Sequence, residues 1–272
     1  MRHLISLAQW SRDDLVELLG AADRYARGAG RRREGTAVLI FPPTSLRTRV
    51  SFESGAAGMG LQPIVFPPEA LDGAEDLADV AAYLACWADL LVVRHTDATI
   101  VERLAAADAL PVINAMTGVD HPCEVLSDLH ALAQTTDVFE LRYLFVGPDG
   151  NIARAWHGAA QAFGLDLRQC CPPELRTPGM PWEGEIAVAT SAADVILTDG
   201  PGAHAEALAP YRITAELLER APAGARFAPC PPFIRGREAS ADAIEHPAFV
   251  GHRFKQSLRP VQQAVMDWAL GG

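Results

Sequence analysis

The stretch AVLIFPPTSLRTRVSFESGAAGMG, residues 37–60, holds an apolar run, a pair of prolines, and then Ser45, Arg47, Thr48 and Arg49 crowded into one turn. Its first residues, AVLIF (37–41), are apolar without interruption, the pattern of a strand buried on both faces of a parallel sheet. Pro42 and Pro43 stiffen the exit, and a helix is expected to begin near Ser45. The first backbone N–H groups of such a helix lack partners and its dipole favours negative charge, so a phosphate could dock there. Guanidinium and hydroxyl donors would complete that site with the fork geometry phosphate prefers. A plainer account has Ser45 capping the helix and Arg49 pairing with Glu53 one turn on. That account suits Arg49 and Glu53; the strand-end position favours a binding role for Ser45, Arg47 and Thr48.

Outward from this unit, short β-rich runs alternate with helical patterns. PIVF (63–66), DLLVVRH (89–95) and PVINA (111–115) read as strands, as do RYLFVG (142–147), LDLRQC (165–170), EIAVAT (185–190) and DVILTDG (194–200). Between them, segments such as GAEDLADVAAYLACWA and NIARAWHGAAQAFG carry apolar residues at helical spacing. Apolar strands separated by helices imply parallel sheets covered on both faces. The alternation breaks at AQTTDVFEL (133–141) and then restarts. The expected fold is α/β, two doubly wound parallel-sheet domains, closed by an amphipathic C-terminal helix with Pro260 near its start. Ligands in such sheets bind beyond the carboxyl ends of the strands, which selects the loops that start at Phe41, Arg94, Ala115, Val146, Asp199 and Ala228.

Composition narrows the partners. The 272-residue chain carries a net charge of −11, so nucleic acid is not an expected partner, and the basic GRRREG (30–35) reads as a solvated loop. An anion bound by so acidic a protein calls for a deep, locally cationic pocket. No apolar run reaches the ~18 residues of a membrane span, and MRHLISLAQWSRDD lacks a signal-peptide core; a soluble, cytoplasmic protein without a membrane partner is expected. Five cysteines without a C-x-x-C pair read as reduced thiols. Lys255, the only lysine, lies in the periodic C-terminal segment, which leaves Schiff-base and P-loop chemistry without a lysine. No G-x-S-x-G elbow, H-E-x-x-H or cysteine–histidine spacing is present, and no metal or cofactor is expected.

Taken in order, SLRTRVSFE (45–53), VVRH (92–95), INA (113–115), DHPCEVLSDLHAL (120–132) and VGPDGN (146–151) resemble the motif series of the aspartate and ornithine carbamoyltransferases. ILTDG (196–200), YRITAELLERAP (211–222) and FAPCPPFIRGREAS (227–240) extend the resemblance over nearly the whole chain. The first segment is similar to the S-T-R-T-R carbamoyl-phosphate motif, with Leu46 for the usual threonine. The last is similar to the ornithine-type H-C-L-P…R-G segment. This resemblance implies a carbamoyl-phosphate domain over 1–134, an acceptor domain over 135–252, and a C-terminal helix in 253–272 that packs back on the first domain. It also implies a homotrimer. Ser45, Leu46, Arg47 and Thr48 would bind phosphate, Arg94 would bridge phosphate and carbonyl oxygen, and His121 would polarise that oxygen. Glu124 and Arg235 would complete the carbamoyl-phosphate set. Asn151, Asp199, Cys230 and Pro231 would bind the acceptor amine, and Thr48, Arg94 and His121 would be catalytic.

The chain also departs from the family. Glu124 stands for the glutamine that contacts the carbamoyl amide; a carboxylate accepts from NH₂ but cannot donate, and its charge opposes phosphate. EALDGAEDLAD (69–79) lacks the lysine that aspartate-type enzymes bring from an adjacent subunit. Pro229 and Pro231 replace a histidine and a hydrophobic residue, and DGPGAH (199–204) lacks the serine, methionine and glycine that clasp ornithine. The expected activity is therefore carbamoyl transfer to an amine other than ornithine or aspartate, with a preference for a cationic or larger one. The competing accounts are a non-catalytic descendant that binds an anion or a partner, and a nucleotide-dependent dehydrogenase. VGPDGN, which is not G-x-G-x-x-G, speaks against the last.

Overall fold

Four of the apolar runs become the strands of one parallel sheet, in the order β2-β1-β3-β4. The computed structural model describes residues 1–272 and divides into two units, Met1–Gln134 with Lys255–Gly272, and Thr135–Phe254. In the first unit, α1 (Arg12–Ala26) precedes β1 (Thr36–Ile40), and α2 (Leu46–Met59) leads to β2 (Gln62–Phe66). Then follow α3 (Leu77–Leu84), β3 (Leu90–Arg94), α4 (Ala98–Ala106), β4 (Val112–Met116) and α5 (Pro122–Ala133). Strand β1 pairs with β2 on one side and β3 on the other, all parallel. The chain therefore leaves β1 in one direction and returns to its opposite side, which opens a crevice between β1 and β3 at their carboxyl ends.

Leu39, Leu90, Leu91, Val92 and Ile113 are fully buried, the expectation for strands covered on both faces. β2 is the edge, and its residues alternate exposed and half-buried. Leu4 extends the other edge: its N–H donates to the Val112 carbonyl at 3.0 Å and its carbonyl accepts from the Asn114 N–H at 2.7 Å.

In the second unit β5 (Arg142–Val146), α6 (Asn151–Phe163), β6 (Asp166–Cys170) and β7 (Trp182–Glu183) are followed by α7 (Ile186–Ser191) and β8 (Val195–Thr198). α8 (Ala215–Glu219) and β9 (Arg226–Pro229) complete a parallel sheet in the order β7-β6-β5-β8-β9. Here the order reverses between β5 and β8, so the crevice lies beside Gly147 and Asp199. The chain then returns to the first unit as α9 (Leu258–Ala269), which packs on α1, α2 and α5. Pro260 sits in its first turn, where a missing N–H leaves no hydrogen bond broken. Gln263 Nε2 on α9 donates to the Gly55 carbonyl on α2 at 3.0 Å, and Arg33 Nε donates to Asp267 Oδ1 at 2.6 Å.

Two parallel sheets with covering helices are what the alternation predicts. One strand assignment fails: Glu185–Thr190, read as EIAVAT, lies at the start of α7 and not in a strand. A parallel strand there would leave only Ser191–Asp194 to cross over to β8, and a parallel crossover needs about a dozen residues. The apolar run is short enough to fit either period, and topology decides it. Thr190 Oγ1 donates back to the Ile186 carbonyl at 2.8 Å, as hydroxyls do within a helix. The two-residue β7 and the strand β9 are additions to the predicted set. No helix is long and apolar enough to cross a membrane.

Candidate active site

Strand β1 ends at Ile40, the prolines turn the chain, and α2 starts with Ser45 as the flanking residue. Ser45 makes no side-chain cap and no acidic side chain stands in the first turn. The positive end of the α2 dipole is thus left without a negative partner from its own turn. Arg94, the last residue of β3, fills the crevice mouth: its Nη1 donates to Ser45 Oγ at 3.1 Å and to Thr48 Oγ1 at 3.2 Å. Ser45 and Thr48 are buried. Burial first, opposed by Glu124 and reinforced by the neighbouring charge of Arg47, holds the Arg94 guanidinium below its usual range.

The third strand end carries His121. After β4 the chain makes a tight loop in which Thr117 Oγ1 accepts from the N–H groups of Val119 (3.1 Å) and Asp120 (3.0 Å). The Gly118 N–H donates to the Thr96 carbonyl at 2.9 Å, and a Cβ at Gly118 would stand 2.8 Å from that oxygen. Only glycine allows this approach, which ties the loop after β4 to the loop after β3. His121 then flanks the start of α5, and Pro122 occupies its first turn. The His121 imidazole is buried, its Nδ1 has no hydrogen-bond partner, and its Nε2 lies 3.9 Å from Glu124 Oε2. Burial, opposed by Glu124 and reinforced by Arg94 and Lys255, pushes its pKa down to about 4. The ring is neutral at pH 7 and can donate to an oxygen while carrying no charge of its own.

Glu124 does not stand alone. Its Oε1 accepts from Lys255 Nζ at 2.6 Å, and the same ammonium reaches Asp128 Oδ1 at 2.5 Å. Burial works to raise the Glu124 carboxyl, but Lys255 foremost holds it below its usual range; burial raises Asp128 to about 6. Asp128 is therefore the first of the two to give up its charge on acidification. The only lysine, placed by sequence in a C-terminal helical pattern, lies at this site in a 3₁₀ turn before α9. Sequence reasoning missed it. The available signal was a pair of oddities, one lysine in the chain and a carboxylate where the resemblance expects an amide.

The remaining expected residues fall out as follows. Arg47 is exposed on the first turn of α2, and its charge reaches both Arg94 and Glu124. Leu46 is also exposed, and its N–H donates to the Thr44 carbonyl at 2.9 Å. Arg49 Nε pairs with Glu53 Oε2 at 3.2 Å, the plainer of its two readings. Part of the acidic stretch 69–79 is structural: Asp76 caps α3 through the Ala78 N–H, and Asp72 Oδ1 lies 3.2 Å from His95 Nε2.

In the second unit, Asn151 opens α6 and its Oδ1 accepts from the Ile152 N–H at 3.0 Å. Asp199 follows β8, and its Oδ1 accepts from the Gly200 N–H at 2.8 Å. Cys230 is buried after β9, its N–H donating to the Thr198 carbonyl at 2.9 Å, and Pro231 follows. Arg235 is exposed and pairs with Glu245 at 3.4 Å. A cavity of about 180 Å³ opens at the β5/β8 reversal, lined among others by Gly147, Asp199, Tyr211, Arg212, Arg237 and Glu238. Asp199 and Glu238 bring carboxylates to this lining, and Arg212 and Arg237 bring guanidiniums. No group of three or more histidine, cysteine or acidic side chains converges as a metal site.

This geometry finds its counterpart in known proteins. The family model for the carbamoyl-phosphate-binding domain of aspartate/ornithine carbamoyltransferases matches residues 2–134. The ornithine carbamoyltransferase of Methanothermobacter thermautotrophicus is 33% identical over 100% of this chain and 99% of its own. That of Nitrobacter winogradskyi is 30% identical over 99% of this chain and 97% of its own. Among solved structures, ornithine carbamoyltransferase from Pyrococcus furiosus superposes with a TM-score of 0.91 at 26% identity, covering 100% of this chain and 97% of that one. The enzyme from Gloeobacter violaceus gives 0.89 at 27%, with both chains fully covered. The chain belongs to the aspartate/ornithine carbamoyltransferase family. It is closer to the ornithine type, and it is a carbamoyltransferase that takes its group from carbamoyl phosphate.

The buried neutral imidazole has a measurable consequence. In an NMR titration the His121 ring is expected to protonate near pH 4 and not near 6.5. Because the unfolded chain binds that proton at the higher pH, the unfolded state holds more protons between the two values. Stability should therefore decline as pH falls through that window. A midpoint near 6.5 would show that the ring is solvated.

Proposed function

We propose that the carbamoyl-phosphate site is the group Ser45, Arg47, Thr48, Arg94, His121 and Glu124, and that the acceptor is an amine for which ornithine is a poor substitute. The observation that carries the first part is Arg94, bonded to both hydroxyls at an uncapped helix N-terminus. The phosphate would take the place that those hydroxyls and the α2 N-terminus surround, with Arg47 adding a guanidinium from the solvent side. Attack of a neutral amine on the carbonyl carbon develops an oxyanion, phosphate leaves as the C–O bond breaks, and the proton lost by the new C–N nitrogen goes to the departing phosphate. Thr48, Arg94 and His121 are donors fixed before the reaction, the arrangement that stabilises developing charge without reorganisation. Holding the two reactants together supplies a further share of the rate. Arg235, exposed and paired with Glu245, is retained in this set on resemblance alone.

For the acceptor, the relatives' names favour ornithine and the residues of this chain do not. The loop after β8 has Pro201, which removes a donor and fixes the backbone, where the resemblance expects a serine–methionine clasp. Asn151, Asp199, Cys230 and Pro231 remain the acceptor residues in this reading, joined by the Arg212, Arg237 and Glu238 lining of the 180 Å³ cavity. That lining suits an amine carried on a molecule that also bears a carboxylate, rather than a purely cationic one. A site stripped of hydrogen-bonding groups matched to a substrate discriminates strongly against it. The non-catalytic account gains no support here, because Lys255 offsets the charge of Glu124.

We also propose that the protein is a homotrimer. Ile64 and Phe66 are exposed on the edge strand β2, as are Leu46 and Val50 one turn apart on α2, Tyr83 on α3, and Trp87 in the turn after it. Trp87 is 73% exposed, an unusual cost for a monomer of this unit.

Three measurements test these statements. Arg47→Ala should weaken carbamoyl-phosphate binding about tenfold to a hundredfold by calorimetry, the usual loss for a charge-assisted contact; undiminished affinity would remove the residue from the site. Phosphate release with a panel of amines should show ornithine kcat/KM well below about 10⁴ M⁻¹s⁻¹, the lower end of ordinary enzyme efficiency, with another amine above it. Ornithine as the best of the panel would overturn the acceptor reading and leave the donor site standing. Light scattering should give three times the 29.1 kDa chain mass, and a monomer at micromolar concentration would end the trimer proposal.

A further inference from the structure

Lys255 lies in the 3₁₀ turn before α9, and its side chain reaches back to α5. Its side chain reaches two carboxylates four residues apart on α5, Glu124 and Asp128, at 2.6 and 2.5 Å. The two carboxylates are 6% and 3% exposed and the lysine 15%, so all three charges sit largely out of water. For stability alone such a cluster is a poor investment, since well-packed apolar side chains of similar volume do as well or better. A reason for the charge lies at the far oxygen of Glu124. While Oε1 is held by Lys255, Oε2 lies 3.9 Å from His121 Nε2.

We propose that Lys255 is a positioning residue for carbamoyl transfer: it holds one oxygen of Glu124, presents the other beside His121 as a fixed acceptor for the donor's NH₂, and offsets the carboxylate's charge in a site that must take phosphate. This rests on the donor-site reading above. Each part has a physical reason. An ionised carboxylate only accepts, so a clamped Glu124 reads the two N–H donors of a carbamoyl group and gives nothing to an oxygen or methyl in their place. A carboxylate beside a phosphate site repels the substrate unless a cation of equal charge is fixed against it. The charged groups around His121 are Glu124 on α5, Asp120 in the loop before it, Arg94 on β3, Arg47 on α2 and Lys255 before α9. Take away Lys255 and the carboxylate acts on the imidazole with less opposition, so the ring takes up a proton more readily. Asp128 can meet the loss of its partner by taking up a proton, since burial has already raised its pKa to about 6.

The experiment compares wild type, K255M, K255R, E124Q and E124Q/K255M. Each is assayed for carbamoyl-phosphate turnover with the best amine of the panel and titrated by NMR at His121. Wild type that neither binds nor turns over carbamoyl phosphate would sink the donor reading, whatever Lys255 does. With wild type active, K255M should lose about tenfold to a hundredfold in kcat/KM for carbamoyl phosphate, in line with other misplaced electrostatic groups. Its His121 midpoint should rise by about one pH unit. K255R should recover part of both. In E124Q the lysine has no charge to offset at that position, so E124Q/K255M should lie within about threefold of E124Q, the non-additivity of residues that act as a unit. Equal fold-losses from removing the lysine with and without the carboxylate would overturn the proposal, as would an unmoved His121 midpoint in a folded K255M. Should K255M fail to fold, E124Q/K255M against E124Q decides alone: a further loss beyond about tenfold overturns it.

Discussion

Positive charge held in place at the end of a parallel sheet is the constraint around which this first unit is built. Arg94 and Arg47 raise each other's electrostatic energy, α2 starts without an acidic cap, and burial removes the water that would screen Arg94. Each of these choices disfavours the ligand-free protein. Together they make a pre-set field for a doubly charged anion, in a protein whose overall field repels anions. The backbone supplies the precision. Three parallel strands end at one level, and the contact between Gly118 and Thr96 fixes the loop that carries His121 against the loop that follows Arg94.

A field of that sign also explains how a carboxylate survives inside it. Glu124 would be costly as an isolated buried anion, and a protonated glutamic acid would serve as a donor as well as an acceptor. Lys255 resolves the choice toward the ion. Because lysine is a compact point charge on a flexible stem, it can satisfy two carboxylates four residues apart without the planar fit a guanidinium needs. The chain has arginine at almost every other basic position, and the exception falls where two single-point contacts are wanted.

Much of this was legible in the sequence, for reasons that differ by residue. Apart from β7 and β9, the strands of both units follow from short apolar or alternating runs, and Ser45, Thr48 and Arg94 stand out by the rule that strand ends carry ligands. Their direct hydrogen bonds are a consequence of register, since β1 and β3 are neighbours. Glu185–Thr190 was misread because six residues hold too little of either period; only the crossover requirement separates helix from strand there. Lys255 was invisible for another reason. Its partners are 131 and 127 residues away in sequence, and no local pattern encodes a contact made by a chain that leaves the unit and returns.

The acceptor side shows the limit of reading sites by motif. Asn151 opens α6 after β5 and Asp199 follows β8, and each is partly engaged by its own backbone. What distinguishes the cavity there is charge supplied from farther along the chain, by Arg212 and by the Arg237–Glu238 pair. Glu238 Oε1 accepts from the Ile234 N–H at 2.5 Å while its Oε2 is buried without a partner, so this carboxylate is held by one oxygen. A buried acceptor left unpaired costs free energy until a donor reaches it. An amine seated in this cavity would be such a donor, whereas a clasp built on serine and methionine would hold its substrate by different atoms. On the acceptor reading proposed above, selection would turn on where the ammonium and carboxylate of the amine fall relative to Glu238 and the two arginines, a matter of spacing within one molecule rather than of net charge.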